Sequence, residues 1–164
     1  MDVEQIFDAH YDVLLRYLVR LTGDPDLAAD VAQETFIRLV ERHPDDRQLR
    51  GWLFRVATNL VRDTSRVQRR RLELLQESAD LLDPPGTRLD PERMLELKER
   101  RRVVRTALDA LSLRDRTLLL MREEGFSHRE MAEAVGTTTK SVGSMIARAL
   151  NKLARELSRP EVDL

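Results

Sequence analysis

Residues Ser127 to Leu153 read SHREMAEAVGTTTKSVGSMIARALNKL. The first four, Ser127-His128-Arg129-Glu130, match a capping box, in which the serine side chain accepts from the N3 amide and the glutamate reaches back to the cap residue's own N–H. A helix starts there. It is short, with Met131, Ala132 and Val135 as its apolar residues, and Gly136 supplies the residue that can take a positive φ at the helix end. Thr138 or Thr139 can cap the next helix, which carries Val142, Ile146, Ala149 and Leu153 on one stripe and Lys140, Ser141, Ser144, Arg148 and Lys152 on the opposite side. Short helix, glycine turn and longer polar-faced helix make a helix-turn-helix. Such a unit inserts the start of its second helix into the major groove of duplex DNA. Lys140, Ser141 and Ser144, with Thr139 at the helix start, are the base-side candidates. Arg148 and Lys152, a turn or more further on, would meet phosphate and so position without specifying. The same stretch is also compatible with an ordinary αα-hairpin whose basic face is simply solvated.

Upstream, the periodicity is helical throughout. A first helix runs from about Val3 to Leu21, with Ile6, Phe7, Leu14, Leu18 and Leu21 on one stripe. Thr22-Gly23 ends it, and Asp24-Pro25 is an N-cap and first-turn pair for a second helix from about Pro25 to Arg42. The loop from His43 to Gln48, with Pro44, breaks the pattern. A third helix, from about Leu49 to Arg70, buries Leu49, Trp52, Leu53, Val56 and Leu60. Asp83-Pro84-Pro85-Gly86 cannot continue a helix, because proline lacks a donor and restricts the residue before it. Periodicity resumes near Met94, with Val103, Val104, Leu108 and Leu111, then Leu118 to Met121. The fold class is all-α: a helical bundle over residues 1–71, an acidic linker over 72–93 and a helix-turn-helix domain over 94–159.

Composition agrees. In 164 residues, 41% are hydrophobic, 35% charged and only 4% aromatic, a balance that suits helices with solvated faces and modest cores. The chain has no cysteine, which excludes disulfides, thiol catalysis and thiolate metal sites and suits a cytoplasmic protein. Residues 1–10 carry acids where a secretory signal would carry basic residues, and no run approaches the ~20 apolar residues of a membrane span. No cofactor is expected. No His, Lys or Ser cluster has nucleophile and base spacing, so an enzyme is not expected either.

Net charge is −1, too low for a stand-alone DNA coater. The sum hides segregation. Residues 1–50 hold eleven acids against six Lys/Arg, 51–71 hold six arginines against one aspartate, and 136–159 hold five Lys/Arg against Glu156 alone. Alternating blocks point to alternating partners, some basic protein and some nucleic acid.

Within the second helix Asp30, Gln33 and Glu34 fall at i, i+3 and i+4 on one exposed face. By spacing alone this is a solvated face as readily as a contact. Arg55, Asn59, Arg62 and Arg66 recur every three or four residues along the third helix, where they could track the phosphates of a single strand or again be merely solvated. The run Asp30-Val31-Ala32-Gln33-Glu34-Thr35-Phe36, followed after a Pro-containing loop by Trp52-Leu53-Phe54-Arg55-Val56-Ala57-Thr58-Asn59-Leu60, resembles the second conserved region of extracytoplasmic-function (ECF) RNA polymerase sigma factors. Leu111-Ser112-Leu113-Arg114-Asp115-Arg116, Gly125-Phe126-Ser127, Glu130-Met131-Ala132 and Gly136 resemble the fourth conserved region of the same family, in the right order and separation.

The resemblance implies a transcription-initiation factor that binds core RNA polymerase and promoter DNA, with a cognate anti-sigma factor as a further partner of the kind the family commonly has. Asp30, Gln33 and Glu34 would then contact the clamp helices of the polymerase's largest subunit. The loop from His43 to Arg50, with His43, Arg47 and Arg50, would pocket a base flipped from the −10 element, and Arg55, Asn59, Arg62 and Arg66 would follow the melted strand. Thr139, Lys140, Ser141, Ser144, Arg148 and Lys152 would serve the −35 element. Phe36 and Trp52 are expected in the core. The acidic segment from about Leu72 to Pro91 would thread toward the polymerase active cleft or act as a plain tether. Gly143 and Met145 depart from the commonest pattern of the family, which has basic residues there. Two rivals remain: a self-sufficient helix-turn-helix regulator that binds duplex DNA as a dimer, and a helical protein adaptor whose basic faces never meet DNA.

Overall fold

Asp2 starts the first helix by accepting from the Glu4 and Gln5 amides, and Gly23, at φ 69°, ends it; α1 is Val3–Thr22. The computed structural model describes residues 1–74 and 90–159, with 65–74 as helical backbone only. Asp24 caps α2 (Pro25–Arg42) through the Asp26 and Leu27 amides, with Pro25 in the first turn, where a missing N–H costs nothing. His43 closes α2 in the left-handed region at φ 45°. A 3-10 turn at Asp46–Gln48 leads into α3 (Leu49–Leu74). The second set of helices is α4 (Pro91–Asp109), α5 (Leu113–Glu123), α6 (His128–Val135) and α7 (Thr139–Leu157).

The all-α class is as expected, and the helix-turn-helix is built as its sequence implies. The capping box of Ser127 and Glu130 is formed in both directions, and Gly136 takes φ 72°. Thr138, rather than Thr139, occupies the N-cap of α7, yet its hydroxyl bonds Ser141 Oγ at 2.7 Å instead of an amide.

Three expectations shift. The segment read as linker over 72–93 is helical at both edges, because α3 continues to Leu74 and α4 begins at Pro91. Proline at N1 keeps a helical φ, so Asp90-Pro91 can open a helix where the periodicity was faint. The Asp83-Pro84-Pro85-Gly86 break and the course of residues 75–89 lie outside the described residues. On α3 Leu49 and Leu53 are buried as expected, but Phe54, Ala57 and Val61 join them, while Trp52, Val56 and Leu60 are only partly covered. Phe7, assigned to the buried stripe of α1, is 40% exposed.

The larger difference is between halves. Instead of two separate cores, one continuous apolar cluster joins them: Leu14, Leu18, Leu21, Ala32, Leu39, Leu53 and Ala57 from α1–α3 belong with Leu118, Met121, Met131, Val142 and Ile146 from α5–α7. Three rings carry the seam. Tyr17 packs on Phe54 at 4.8 Å between centroids, and Phe54 on Phe126 at 4.7 Å. Turning α3 by one residue relative to the predicted stripe is what aims Phe54 at Phe126.

Candidate nucleic-acid and protein interfaces

The acidic face of α2 is where the spacing puts it. Asp30 and Gln33 are exposed, and Glu34 is partly covered because its carboxylate accepts from Arg38 Nε at 3.0 Å one turn on. Beside them lies a groove of about 480 Å³ between α1 and α2, lined by Phe7, Tyr11, Phe36, Ile37 and Val40 as well as by Asp30 and Gln33. Phe7 stacks on Tyr11 at 4.4 Å and meets Phe36 edge-on at 5.1 Å, which fixes its ring in an exposed position. Ile37 and Val40 are about half exposed. Their part was readable in principle: residues 30, 33, 37 and 40 fall on one stripe at helical spacing, so the apolar pair continues the acidic one. Phe36 is core, as expected; Trp52 is half-buried.

The loop and arginine face divide into two groups. His43, Arg47 and Asn59 are exposed; Asp45 shapes the loop by accepting from the Arg47 amide. Arg50, Arg55 and Arg62 instead reach the C-terminal half. Arg50 donates to the Glu124 carbonyl at 2.5 Å and lies 4.2 Å over the Phe126 ring. Arg55 pairs with Glu133 at 3.5 Å, and Arg62 donates to the Ala134 carbonyl at 3.0 Å. The Arg66 side chain lies outside the described residues. Partial burial, followed by the charge of Arg50, holds the His10 imidazole below its ordinary pKa.

On α7, Thr139, Lys140, Ser144 and Arg148 are exposed and Ser141 is partly so. Ser144 turns its hydroxyl inward, donating to the Ser141 carbonyl at 3.0 Å, although its position faces out. Lys152 is tied to α5: its ammonium meets the buried Asp115 carboxylate at 3.0 Å. That ion pair anchors α7 and leaves Lys152 partly committed, where the sequence offered it to phosphate. Met145 is buried, so that position serves the core. Gly143 is exposed, and a Cβ there would meet only His128 Cε1 at an ordinary 3.7 Å, so packing does not require glycine. Arg105 of α4, which no sequence signal singled out, donates to the Val19 and Arg20 carbonyls and is held by Asp109.

Among the described residues no helix is long and apolar enough to cross a membrane. Comparison with known proteins places the chain in a family. Residues 6–71 match Sigma-70 region 2, and residues 101–153 match Sigma-70, region 4. The chain is 34% identical to the RNA polymerase sigma factor NccH of Alcaligenes xylosoxydans xylosoxydans, over 81% of this chain and 74% of that protein. It is 34% identical to the ECF RNA polymerase sigma factor SigL of Mycobacterium tuberculosis, over 93% of this chain and 88% of that protein. Against the ECF RNA polymerase sigma factor SigE of Mycolicibacterium smegmatis it is 30% identical over 95% of its own length, but spans 62% of that protein. In fold it resembles the sigma factor RpoE solved in complex with the anti-sigma factor NepR from Bartonella quintana, with TM-score 0.69, 22% identity and 99% of both chains covered. Two sigma-70 regions in their proper order, and relatives about a third identical along most of their length, establish that the chain belongs to the ECF group of RNA polymerase sigma factors.

Proposed function

We propose that the chain docks on core RNA polymerase through α2, captures the −10 element as it melts, and reads the −35 element as duplex. The acidic Asp30, Gln33 and Glu34 face and the apolar groove beside it form one continuous surface, suited to a basic helix that also presents apolar residues. His43, Arg47 and Arg50 of the loop, with Arg55, Asn59, Arg62 and Arg66 of α3, serve the melted strand. Thr139, Lys140, Ser141, Ser144 and Arg148 face the duplex, while Lys152 acts chiefly as an anchor. The units that do this are residues 1–71 and 94–159, joined through 72–93. The chain acts as a binding factor without chemistry of its own, inside the cell where polymerase is, and an anti-sigma protein is the natural further partner.

The observation that carries this reading is the distance in character between its surfaces: an acidic and apolar face on α2, a cationic face on α3 and a polar, cationic start of α7 within a chain of net charge −1. Neither DNA surface is strong alone, and joining both on polymerase raises their effective concentration. The test is transcription in vitro from a genomic promoter library, with core polymerase alone and with the protein. New start sites preceded by shared −35 and −10 elements support the reading; their absence with an active core removes it. Replacing Asp30 and Glu34 together by Asn and Gln is expected to abolish capture of core polymerase in a pull-down and to leave the thermal midpoint within a degree or two. A self-sufficient duplex-binding regulator would keep its DNA affinity in that variant and never need the polymerase.

A further inference from the structure

The exposed stripe of α7 is poor in groups able to read a base. Lys140, Gly143, Ser144, Ala147 and Arg148 share it at helical spacing, and all five are exposed. Gly143 has no side chain and Ala147 only a methyl group. The hydroxyls near the start of the helix are committed to one another: Thr138 and Ser141 bond at 2.7 Å, and Ser144 donates to the Ser141 carbonyl at 3.0 Å. Beyond Thr139, what is left toward the groove is Lys140 and Arg148, with a gap at Gly143 between them. His128, the first residue of α6, fills that gap from the neighbouring helix. Its Cε1, the carbon between the two ring nitrogens, lies 3.7 Å from where a Cβ of residue 143 would stand. The imidazole therefore rests over the bare backbone of α7, at the level where a side chain of residue 143 would begin. The other polar residues of that turn are engaged: Ser127 and Glu130 close the capping box, and Arg129 pairs with Glu133 at 3.6 Å. The His128 ring is exposed, and among the described residues neither of its nitrogens has a hydrogen bond or an ion pair.

The geometry points to His128 as a contact to the −35 duplex: from α6, its imidazole supplies the hydrogen-bonding group that α7 lacks at position 143. The inference rests on the assignment of α7 to that duplex. In either charge state an imidazole carries at least one N–H donor. The acceptors this face would meet share one chemistry, whether they are the N7 of a purine and the O6 of guanine or an oxygen of a flanking phosphate. A base edge makes His128 a reader of one base pair; a phosphate makes it a clamp on register. The seat of the ring depends on what stands at 143. Alanine there would make only an ordinary contact with it, whereas a longer side chain starting from the same Cβ runs into the space the ring holds and displaces it. The position of α7 without a side chain is thus the seat of one from the other helix of the unit, and residues 128 and 143 act on the duplex as a pair.

The test uses core polymerase loaded with the full chain and a fluorescent promoter duplex from the transcription experiment, together with duplexes in which each −35 base pair is replaced in turn. His128→Ala is expected to weaken binding of the unaltered promoter about five- to tenfold while leaving thermal unfolding of the chain unchanged. His128→Gln, which keeps an N–H donor, is expected to recover part of the loss. If His128→Ala ceases to discriminate at one −35 base pair and is unaltered at the others, the acceptor is a base edge; equal loss on every duplex identifies a phosphate. Gly143→Leu is expected to weaken binding by a similar factor, and to add less than about twofold when combined with His128→Ala, because the ring it displaces is already gone. Unchanged binding by His128→Ala overturns the inference. So do losses that multiply in the double variant, since the leucine then obstructs DNA by itself and the ring does not hold the place at 143. Lys140→Ala and Arg148→Ala keep the two failures apart. If they weaken promoter binding and His128→Ala does not, the −35 assignment of α7 stands and only the inference falls; if none of the three matters, the assignment falls and the inference with it.

Discussion

Tyr17 shows how one residue can tie stability to chemistry. Its hydroxyl lies 2.8 Å from Thr58 Oγ1, and Thr58 in turn donates to the Phe54 carbonyl at 2.6 Å, so Tyr17 is the donor in the pair. Burial is complete and pushes its pKa up to about 12 against an ordinary 10.0. The folded state thus holds the phenol proton more tightly than the unfolded chain does. That contribution is fully present below pH 10 and is lost as pH rises from 10 toward 12, by about 2–3 kcal/mol if the whole shift is expressed. Tyr17→Phe is expected to cost about 1 kcal/mol at pH 7, the usual net value of a buried hydrogen bond, and to flatten this alkaline loss. Urea unfolding of both proteins at pH 7 and pH 11 checks it; parallel curves at the two pH values would show that Tyr17 is not the titrating group. None of this was visible in the sequence, where Tyr17 was one aromatic among few and drew no attention. Partners 41 residues apart come together only by packing.

At the scale of single helices the sequence was most informative, because caps and periodicity are local. The Ser127–Glu130 box, Gly136, Gly23 and Asp24-Pro25 stand at the helix ends they implied. Legibility failed where a helix has more than one apolar stripe. On α3, Leu49 and Leu53 can be extended at helical spacing either by Trp52, Val56 and Leu60 or by Phe54, Ala57 and Val61, and which set turns inward depends on what arrives from α5 and α6. Gly143 belongs to this scale as well. In an exposed helical position where a Cβ would make only an ordinary contact with His128, Gly143→Ala should stabilise α7 by about 0.5–1 kcal/mol. If the backbone there approaches DNA closely, the same substitution weakens −35 duplex binding. Thermal unfolding paired with duplex titration separates the two: a rise in midpoint with unchanged affinity would mean the glycine has no part in recognition.

For the whole molecule the decisive feature is the shared core. Two domains with separate cores would melt independently, whereas a chain joined through Tyr17, Phe54 and Phe126 should unfold in one transition with coincident far-UV and tyrosine signals. Phe126 is 6% exposed at the centre of that seam. Phe126→Ala should cost about 3–5 kcal/mol and split the melt into two steps as the halves uncouple. Calorimetry decides this, and two resolved transitions in the unaltered chain would show that the seam contributes little.

What the sequence determined by itself was what neighbours along the chain set: an all-helical class, the helix ends marked by a cap or a glycine, the helix-turn-helix and the acidic stripe of α2. Resemblance added the family, because its motifs are local strings. Tertiary structure alone decided which face of α3 is buried, that Phe7 stands open in the groove beside Asp30, that Lys152 is anchored on Asp115, and that Arg50, Arg55 and Arg62 are engaged by the other half. The physical reason is common to all four. An arginine on a helix face offers the same guanidinium to water, to a phosphate or to the carbonyl end of another helix, and only the packing of distant segments determines which of these lies within reach.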